Sequence, residues 1–483
     1  MKFRILIILL ALVSTAFPRR TIEPEDIQPI LSLRDVKALE ITDDYLYAGV
    51  DGGVIRFYRF EDYLDLSRWE TFHLPGEVRR IQKMGDYIYA ITTTGYFVRR
   101  ERDIFDIQFQ PVDSVLRLPP NLRICDPYEY GITLPFQLFW ENSDSILGPD
   151  MTFYRLTDCV TDGSYYMFFA TDGFGLFRAD LRDKMAEPLS FGPCCDFSDA
   201  LLIVGDTIFF GGCSDVKFCA FSIATHEMSE FEWFPGGRSA SFPDYGPVLD
   251  FAKQDGELYI ATPRGFGMFD LHRRVWQRPT AGGSVPLYNA NALLIHNDTL
   301  YIASNDGIYS MDMHSKSLVR RTPIGLKNFA DVDYAMGRVI AVGDMGAYQL
   351  IDTIFAPLKP PDGHLDLYVR TVKPYRDEAV FATPYAIIVL DDSGKRKFIP
   401  SSIFFESAEI FDVEPTRKYL WVATDKGLFV YDRFGKFATC LNEDYYFPDM
   451  TIFRLFMQGD YLWMTTDIGL HRYFWNEPDR IYR

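Results

Sequence analysis

Short apolar segments alternate with turn residues along nearly the whole chain. Residues 409–441 show the pattern in full, with predicted strands at 409–413, 419–424, 428–431 and 437–441. The segments between them carry Pro, Gly, Asp and Lys, which are typical turn residues. Segments of this length, rich in aromatic and β-branched residues, are typical of β-strands rather than helices. Four such segments in series predict one antiparallel sheet of four short strands.

The pattern recurs with a nearly constant period. A residue near the end of the second predicted strand can be aligned at ten positions: Gly49, Ile91, Ala170, Gly211, Ala261, Ala303, Val342, Ala382, Ala423 and Thr465. Most steps between these positions are about 40–50 residues, the length of one four-stranded propeller blade. The sequence therefore predicts an all-β fold, a β-propeller of about ten four-stranded antiparallel blades.

One step of about two periods falls on residues 113–150. This stretch is either a long insertion or a degenerate eleventh blade, with a worn hairpin formed by Tyr130–Leu134 and Gln137–Trp140. The propeller domain is predicted to span residues 22–478. We favour one large ring over two smaller rings in tandem, because no Pro/Gly/Ser-rich linker marks a midpoint. The segment Pro29–Leu33 is expected to supply the outer strand that the last repeat lacks, and so to fasten the ring.

The start of the chain has the composition of a secretory signal peptide. Lys2 and Arg4 precede an apolar stretch at residues 5–13, and small residues follow at Ser14–Ala16. The apolar stretch is too short to span a bilayer, which needs about 20 residues. We therefore predict a signal peptide at residues 1–16, no membrane span, and a secreted or periplasmic location.

Charge and cysteine content exclude some classes of partner. The formal net charge of −18 argues against nucleic acid as a ligand, because phosphate binding needs clustered Lys and Arg. The seven cysteines leave at least one thiol free or paired between molecules. Cys213 and Cys219 are expected to form a disulfide or to remain buried free thiols. The adjacent pair Cys194–Cys195 lacks the spacing of a zinc site, so neither a metal nor another cofactor is expected.

One phrase carries a family resemblance. The phrase begins with an apolar and aromatic strand that ends in Ala-Thr or a similar pair. Gly-Leu or Gly-Ile and an aromatic residue follow. The clearest copies are Leu420–Asp432, Leu462–Tyr473 and Leu300–Asp312. This phrase resembles the two-component regulator propeller repeat. The resemblance implies a β-propeller that acts as an extracytoplasmic sensory or ligand-recognition module. Propellers of that family are often joined to a membrane span and a signalling kinase, and neither follows the last repeat here. We therefore expect recognition rather than signalling from this polypeptide.

Acidic turn residues are the first candidate for a site. Turns between second and third strands should share one end of the propeller with the connections between blades, and loops at such an end often bind ligands. These turns carry four candidate residues, Asp172, Asp306, Asp425 and Asp467. They predict an acidic rim for a cationic or polyhydroxyl ligand. The alternative is that each aspartate caps its own turn through backbone N–H groups.

Two long connections between blades give the second group of candidates. Trp233, Phe234 and Arg238 combine aromatic area with a bidentate donor, a composition that suits sugar or peptide recognition. The next connection carries Tyr288, Asn289 and Asn291. The alternative for both connections is a hydrophobic plug over the core.

Catalysis has little support in the sequence. The seven histidines are scattered singly, and the G-x-S-x-G, H-E-x-x-H and calcium-loop patterns are absent. We therefore predict a non-catalytic propeller that binds a protein or carbohydrate on its loop-bearing face. The alternative is a hydrolase or lyase acting on polysaccharide or a cell-wall substrate, which two carboxylates converging within about 10 Å in the channel would favour. A purely structural surface protein is a third reading.

Overall fold

The computed structural model describes residues 27–59, 69–102, 108–113, 125–135, 137–148, 151–189, 200–211, 217–225, 228–232, 247–277, 289–358, 368–394, 396–403, 408–434, 438–441 and 450–475. Within these ranges the chain forms antiparallel strands and one 3-10 turn at Ser401–Ile403, with no α-helix. The all-β prediction is therefore confirmed. The predicted signal peptide at residues 1–16 lies outside the described residues.

The N-terminal strands occupy residues 27–189. They are β1 (Ile27–Ile30), β2 (Ala38–Ile41), β3 (Tyr45–Tyr58), β4 (Glu70–Met84), β5 (Tyr87–Thr92), β6 (Tyr96–Arg100), β7 (Gln110–Pro111), β8 (Phe139–Asn142), β9 (Ser145–Leu147), β10 (Phe153–Thr161), β11 (Tyr166–Thr171), β12 (Gly175–Asp180) and β13 (Met185–Leu189).

The remaining strands occupy residues 200–474. They are β14 (Ala200–Val204), β15 (Thr207–Gly211), β16 (Lys217–Ser222), β17 (Met228–Glu232), β18 (Asp250–Gln254), β19 (Glu257–Thr262), β20 (Gly265–Asp270), β21 (Val275–Gln277), β22 (Ala290–His296), β23 (Thr299–Ser304), β24 (Gly307–Asp312), β25 (Leu318–Arg320), β26 (Phe329–Ala335), β27 (Arg338–Gly343), β28 (Gly346–Ile351), β29 (Ile354–Pro357), β30 (Thr371–Tyr375), β31 (Glu378–Thr383), β32 (Ala386–Asp391), β33 (Arg396–Pro400), β34 (Ile410–Pro415), β35 (Tyr419–Thr424), β36 (Gly427–Asp432), β37 (Ala438–Leu441), β38 (Ile452–Gln458), β39 (Tyr461–Thr466) and β40 (Gly469–Phe474).

The repeated phrase forms the second strand, a tight turn and the third strand of each sheet. In the sheet β34–β37, Thr424 donates its hydroxyl hydrogen to the carbonyl of Gly427 at 2.8 Å. The same bond closes the turns Thr262–Gly265 and Thr466–Gly469. Gly427 has a φ of 99°, a conformation that residues with a Cβ adopt only with strain. Thr and Gly in the phrase are therefore required by the turn itself.

The strands from residue 200 onward form a closed ring of seven sheets, which we call the ring. The inner strands β14, β18, β22, β26, β30, β34 and β38 each pack against the next, and β38 packs back against β14. At the closing contact, Gln458 donates to the carbonyl of Gly205 at 2.8 Å, and the rings of Trp463 and Phe221 lie 6.5 Å apart. A hydrophobic cluster fills every gap between neighbouring sheets of the ring. Burial of each large apolar side chain in these gaps contributes about 1.5–3 kcal/mol.

The strand β1 fastens the ring, as the sequence predicts. It pairs antiparallel with β40, so that Ile27 lies opposite Tyr473 and Ile30 opposite Leu470. The sheet β38–β40 thereby gains its fourth, outer strand from the N-terminal end of the described chain. The pairing starts slightly before the predicted segment Pro29–Leu33.

Residues 31–189 form three further units, which we call the arc. The strand β3 reverses its direction at Gly52. The backbone N–H of Arg59 can therefore donate to the carbonyl of Asp44, and later sheets have the same hydrogen bond at the equivalent position. The strand β4 continues from the first unit into the second. The inner strand β2 packs against β4 on one side and β10 on the other. Two hydrophobic clusters fill these gaps.

The prediction of one large ring is wrong for the described strands. The ten aligned residues do lie in second strands, namely β3, β5, β11, β15, β19, β23, β27, β31, β35 and β39. The repeat period gives the length of each unit, however, and does not specify which inner strands meet. The ring closes between β14 and β38, leaving the arc outside it.

The insertion at residues 113–150 adds a hairpin to an existing sheet. In its described part, β8 and β9 extend the sheet of β10–β13, with Leu147 opposite Phe153. The hairpin strands therefore lie later than the predicted hairpin. A disulfide between Cys125 and Cys159 joins the insertion to β10. Sequence reasoning missed this bond, because connectivity among seven cysteines cannot be deduced from spacing alone.

Candidate functional site

The predicted acidic rim residues bind backbone groups of their own sheets. The carboxylate of Asp425 accepts a hydrogen bond from Glu409 N at 2.8 Å, and that of Asp467 accepts one from Thr451 N at 3.0 Å. Each bond ties the turn between second and third strands to the connection that enters the same sheet. These two aspartates therefore bind backbone N–H groups, as the alternative interpretation expects, but in these bonds the N–H groups belong to the entering connection rather than to their own turns.

The other two acidic candidates differ from each other. Asp172 in the arc forms a salt bridge with Lys37 at 3.1 Å. Hydrogen bonds from Asp35 and Lys37 hold the pKa of Asp172 below its usual range, while burial raises the pKa of Asp35 to about 6. Asp306 lies in the ring, where its backbone carbonyl accepts a hydrogen bond from Arg320 at 2.5 Å. Asp172 thus lies in the arc and the other three in the ring.

Only some residues of the two predicted aromatic connections are among the described residues. Asn291 donates from Nδ2 to the side-chain oxygen of Asn305 at 2.8 Å and to the carbonyl of Phe329 on the next inner strand at 2.7 Å. Asn289 accepts a backbone hydrogen bond from Asn305 at 3.2 Å. Both asparagines therefore hold the connection in place. Trp233, Phe234, Arg238 and Tyr288 lie outside the described residues, as does Cys213. Cys219 is disulfide-bonded, and its predicted pairing with Cys213 stays a prediction.

A row of charged residues lies on three consecutive inner strands of the ring. Asp333 on β26, Lys373 on β30 and Glu414 on β34 occupy equivalent positions, opposite Ile340, Val380 and Trp421 of their second strands. All three side chains are half-buried. We call these three residues the channel row; the carboxylate of Asp412, also on β34, lies 3.7 Å from the ammonium of Lys373. Sequence reasoning missed it, although polar residues in an otherwise apolar first strand were a visible signal.

Burial shifts the protonation of the channel row. It raises the pKa of Asp333 to about 7, and the charge of Asp331 adds to the effect. It raises the pKa of Glu414 to about 7 against the opposing charge of Lys373. Burial acts to lower the pKa of Lys373, but the carboxylates of Asp412 and Glu414 raise it above its usual range. Near neutral pH the row therefore combines a fixed positive charge with two carboxyl groups that can both donate and accept hydrogen bonds.

Aromatic side chains lie at the loop-bearing end of the inner strands, with Phe411 three residues before Glu414 on β34. Phe411 and Phe453 sit at β-bulges of consecutive inner strands, with ring centroids 5.5 Å apart. The guanidinium of Arg370 lies 4.7 Å from the centroid of Phe411 and donates to Glu409 Oε1 at 2.6 Å. A cation over an aromatic face is attracted by the ring quadrupole. The channel row, Arg370, Phe411 and Phe453 together form the candidate site, which offers charge, hydrogen bonding and aromatic area.

Within the described ranges, no group of three or more His, Cys, Asp or Glu side chains is placed to hold a metal ion. The described residues contain no helix of the length and apolarity needed to cross a membrane.

Comparisons with known proteins give distant matches at the level of fold. No protein-family model and no curated protein matches the chain. A solved structure of PorZ, described as a bacterial surface component of the type-IX secretion system of Porphyromonas gingivalis, matches with 12% identity and a TM-score of 0.50, covering 91% of this chain and 68% of PorZ. Two extracellular domains from B. thetaiotaomicron also match.

The two extracellular domains from B. thetaiotaomicron are described as belonging to proposed hybrid two component systems. The BT4673 domain has 14% identity and a TM-score of 0.48, with 91% of this chain and 70% of that one covered. The BT3049 domain has 13% identity and a TM-score of 0.49, with 90% and 61% covered. At these identities the similarity bears on the fold and not on the function.

Proposed function

We propose that the chain is an extracytoplasmic recognition module that binds a carbohydrate or a protein segment at the loop-bearing mouth of the ring, without catalysis of its own. The observation that carries this proposal is the grouping of the channel row with Arg370, Phe411 and Phe453. Half-buried carboxyl groups with a pKa of about 7 suit hydroxyl-rich ligands, since they both donate and accept hydrogen bonds. Aromatic faces supply the contact area that sugar rings and peptide side chains use.

The location and family are part of the same proposal. The basic and apolar start of the sequence supports export. The repeated phrase supports membership of the two-component regulator propeller type, and some structures with a related fold are described as extracellular domains or surface components. Asp306, Asp425 and Asp467 remain proposed rim residues of the ring and Asp172 a proposed rim residue of the arc, with Asn289 and Asn291 as further proposed contacts in the ring. Trp233, Phe234, Arg238 and Tyr288 remain proposed contacts from the connections.

A glycan and peptide array on residues 17–483 would test the proposal. We expect binding by the wild-type protein, weakened at least tenfold by Lys373→Met and by Phe411→Ala. Phe434→Ala is a matched control, because Phe434 is 71% exposed on the same sheet but lies in the turn at the opposite end. Equal unfolding midpoints for the variants would rule out loss of folding. Binding that survives both channel substitutions would contradict this location of the site.

The carboxyl pair favours one second candidate, a hydrolase or lyase acting on polysaccharide. Asp333 and Glu414 lie two inner strands apart, and each has the raised pKa that suits a general acid. Polysaccharide incubated with the wild-type protein would then release new reducing ends, and Asp333→Asn and Glu414→Gln would each abolish the release. Asp377→Asn, at an exposed turn, is the control. Binding without release would exclude this candidate for the polysaccharides tried.

A further inference from the structure

Two histidines face each other where the arc meets the ring. His73 on β4 lies opposite Gly53 of β3, and His471 on β40 lies opposite Pro29 of β1. Their ring centroids are 6.5 Å apart. The two units are in close contact here, because Thr71 donates its hydroxyl hydrogen to the carbonyl of Pro29 at 2.7 Å. We call this contact the junction.

The hydrogen bonds around His471 define which nitrogen carries its proton. Thr466 donates its hydroxyl hydrogen to the carbonyl of Gly469 at 2.8 Å, and its oxygen lies 3.3 Å from Nδ1 of His471. Nδ1 therefore carries the proton and donates, while Nε2 keeps a lone pair. Nε2 is buried and has no hydrogen-bond partner among the described residues. The whole side chain has 0% exposure.

His73 is held in a comparable way from the arc. Its imidazole hydrogen-bonds the backbone of Gly52. Its Nδ1 is buried and, within the described part of the chain, has no hydrogen-bond partner. The donating nitrogen is therefore Nε2, and Nδ1 keeps a lone pair. Both histidines thus have one satisfied nitrogen and one nitrogen whose protonation would create a buried donor without an acceptor.

Protonation of this pair is unfavourable while the junction is closed. Burial lowers the pKa of His73 to about 4. Burial, together with the charge of His73, lowers the pKa of His471 to about 3. An exposed histidine has a pKa of about 6.5. Separation of the arc from the ring would expose the rings to water and restore the ordinary value.

Other charged groups near the junction act in the opposite direction. β1 carries no titratable side chain, and the surrounding elements carry Asp51, Arg56, Glu70, Glu77, Asp467 and Arg472. Burial raises the pKa of Asp51 and of Asp467, and the charge of Asp51 adds to the shift of Asp467. Protonation of these carboxyls in acid relieves their repulsion and favours closure. The two histidines lie at the contact itself, with pKa values lowered to about 4 and about 3, so the histidines determine the net direction.

Among the described residues, no hydrophobic cluster is shared by the two units. Each described hydrophobic cluster belongs either to the ring with β1 or to the arc. Interfaces of this kind between parts of one chain separate more readily than large hydrophobic ones.

We propose that the junction is a proton-operated latch, which holds the arc against the ring while His73 and His471 are neutral and opens when they take up protons. Because each histidine binds its proton far more weakly when closed, the ratio of closed to open molecules falls as the pH drops below about 6.5. At pH 4.5 the fall is on the order of a hundredfold for each histidine.

Hydrogen–deuterium exchange at the histidine C2 positions of the full chain would measure the two pKa values directly. We expect His73 and His471 to titrate below pH 5. Small-angle X-ray scattering between pH 7 and pH 4 should show an increase in the radius of gyration before the strands unfold. Ordinary pKa values for both junction histidines would overturn the proposal without any substitution.

Substitution gives an independent test. The double variant His73→Phe with His471→Phe should keep the compact form to a pH at least one unit lower than the wild-type protein does. His314→Gln is the matched control and should open at the wild-type pH. If the double variant does not fold, His73→Phe alone should still move the opening pH downward. Opening at an unchanged pH in a folded variant would contradict the latch.

Discussion

The carboxylate of Asp412 accepts a hydrogen bond from the backbone N–H of Leu455, 2.9 Å away on the inner strand of the next sheet. It also accepts one from Val413 on its own strand at 2.9 Å. The same bond between neighbouring inner strands recurs for Asp331 with Val372, Asp250 with Leu293 and Asp158 with Leu39. These aspartates therefore join neighbouring sheets, and their acidity does not identify a ligand site.

Asp412→Ala should destabilise the ring. The side chain is fully buried, so its removal leaves two backbone donors without their acceptor. Hydrogen bonds to charged groups contribute about 1.5–3 kcal/mol each, and buried unsatisfied donors add to the loss. Urea unfolding should show a loss of about 3 kcal/mol or more. Asp312→Ala, at an exposed outer turn where the carboxylate caps Ser315 N, should cost about 1 kcal/mol or less. Equal losses of stability for the two variants would contradict the role of Asp412 in joining neighbouring sheets.

Local structure was readable from the sequence because its causes are local. The Thr–Gly turn and the strand lengths follow from residues within one repeat, whereas the long-range pairing of β1 with β40 follows from the outer strand that the last repeat lacks. Ring closure between β14 and β38 could not be predicted from the sequence, because every inner strand has nearly the same apolar pattern. The number of repeats does not determine which inner strands contact each other. The acidic candidates Asp425 and Asp467 were identified by type, while the hydrogen bonds that hold them depend on the connection entering each sheet. Prediction of the channel row would have required the first strands of three repeats to be aligned with each other.

The raised pKa values of the channel row should make stability depend on pH. A carboxyl whose pKa is higher in the folded state stabilises the fold fully below its unfolded pKa of about 4 and loses that contribution as the pH rises through 7. Asp333→Asn and Glu414→Gln resemble the protonated form, so each should match the wild-type protein at about pH 3.5, below the unfolded pKa. At pH 8 each should be more stable than the wild-type protein by about 1 kcal/mol or more. Urea midpoints at both values measure this, and Asp377→Asn should show no such difference.

Pairing of β1 with β40 should be essential for ring closure. Ile30 is 9% exposed and packs in the cluster that joins the first and last sheets of the ring. Ile30→Asp places a charge in this apolar gap and should cost about 3 kcal/mol or more. Hydrogen exchange of β40 amides should become faster than in β31, which lies on the far side of the ring. Gln28→Ala alters only the exposed contact with Arg472 and should leave exchange unchanged. Slow β40 exchange in Ile30→Asp would show that closure does not depend on β1.

The disulfide in the insertion should stabilise the arc. Cys125 and Cys159 close a loop of 34 positions, for which chain entropy gives about 3–4 kcal/mol. The double variant Cys125→Ser with Cys159→Ser should lose about this amount in thermal unfolding of the arc, and β8 and β9 amides should exchange faster. Cys440→Ser is the control, because Cys440 lies on β37 of the ring and takes no part in this bond. A reducing agent should lower the stability of the wild-type protein and leave the double variant unaffected at this bond.

Gly343, the last residue of the second strand β27, should be required by steric contact. A Cβ at Gly343 would lie 2.1 Å from the carbonyl oxygen of Asn328, a backbone atom that cannot move aside cheaply. Gly343→Ala should therefore shift the strand pairing at the start of β26 and cost about 2 kcal/mol or more. Gly95→Ala is a matched control, since its Cβ would meet nothing closer than the Phe97 ring at 3.6 Å. Because alanine restricts the unfolded chain more than glycine does, this control should be neutral or stabilising by up to about 1 kcal/mol. Chemical denaturation of both variants distinguishes a steric requirement from a general preference for small residues, which would affect both positions alike.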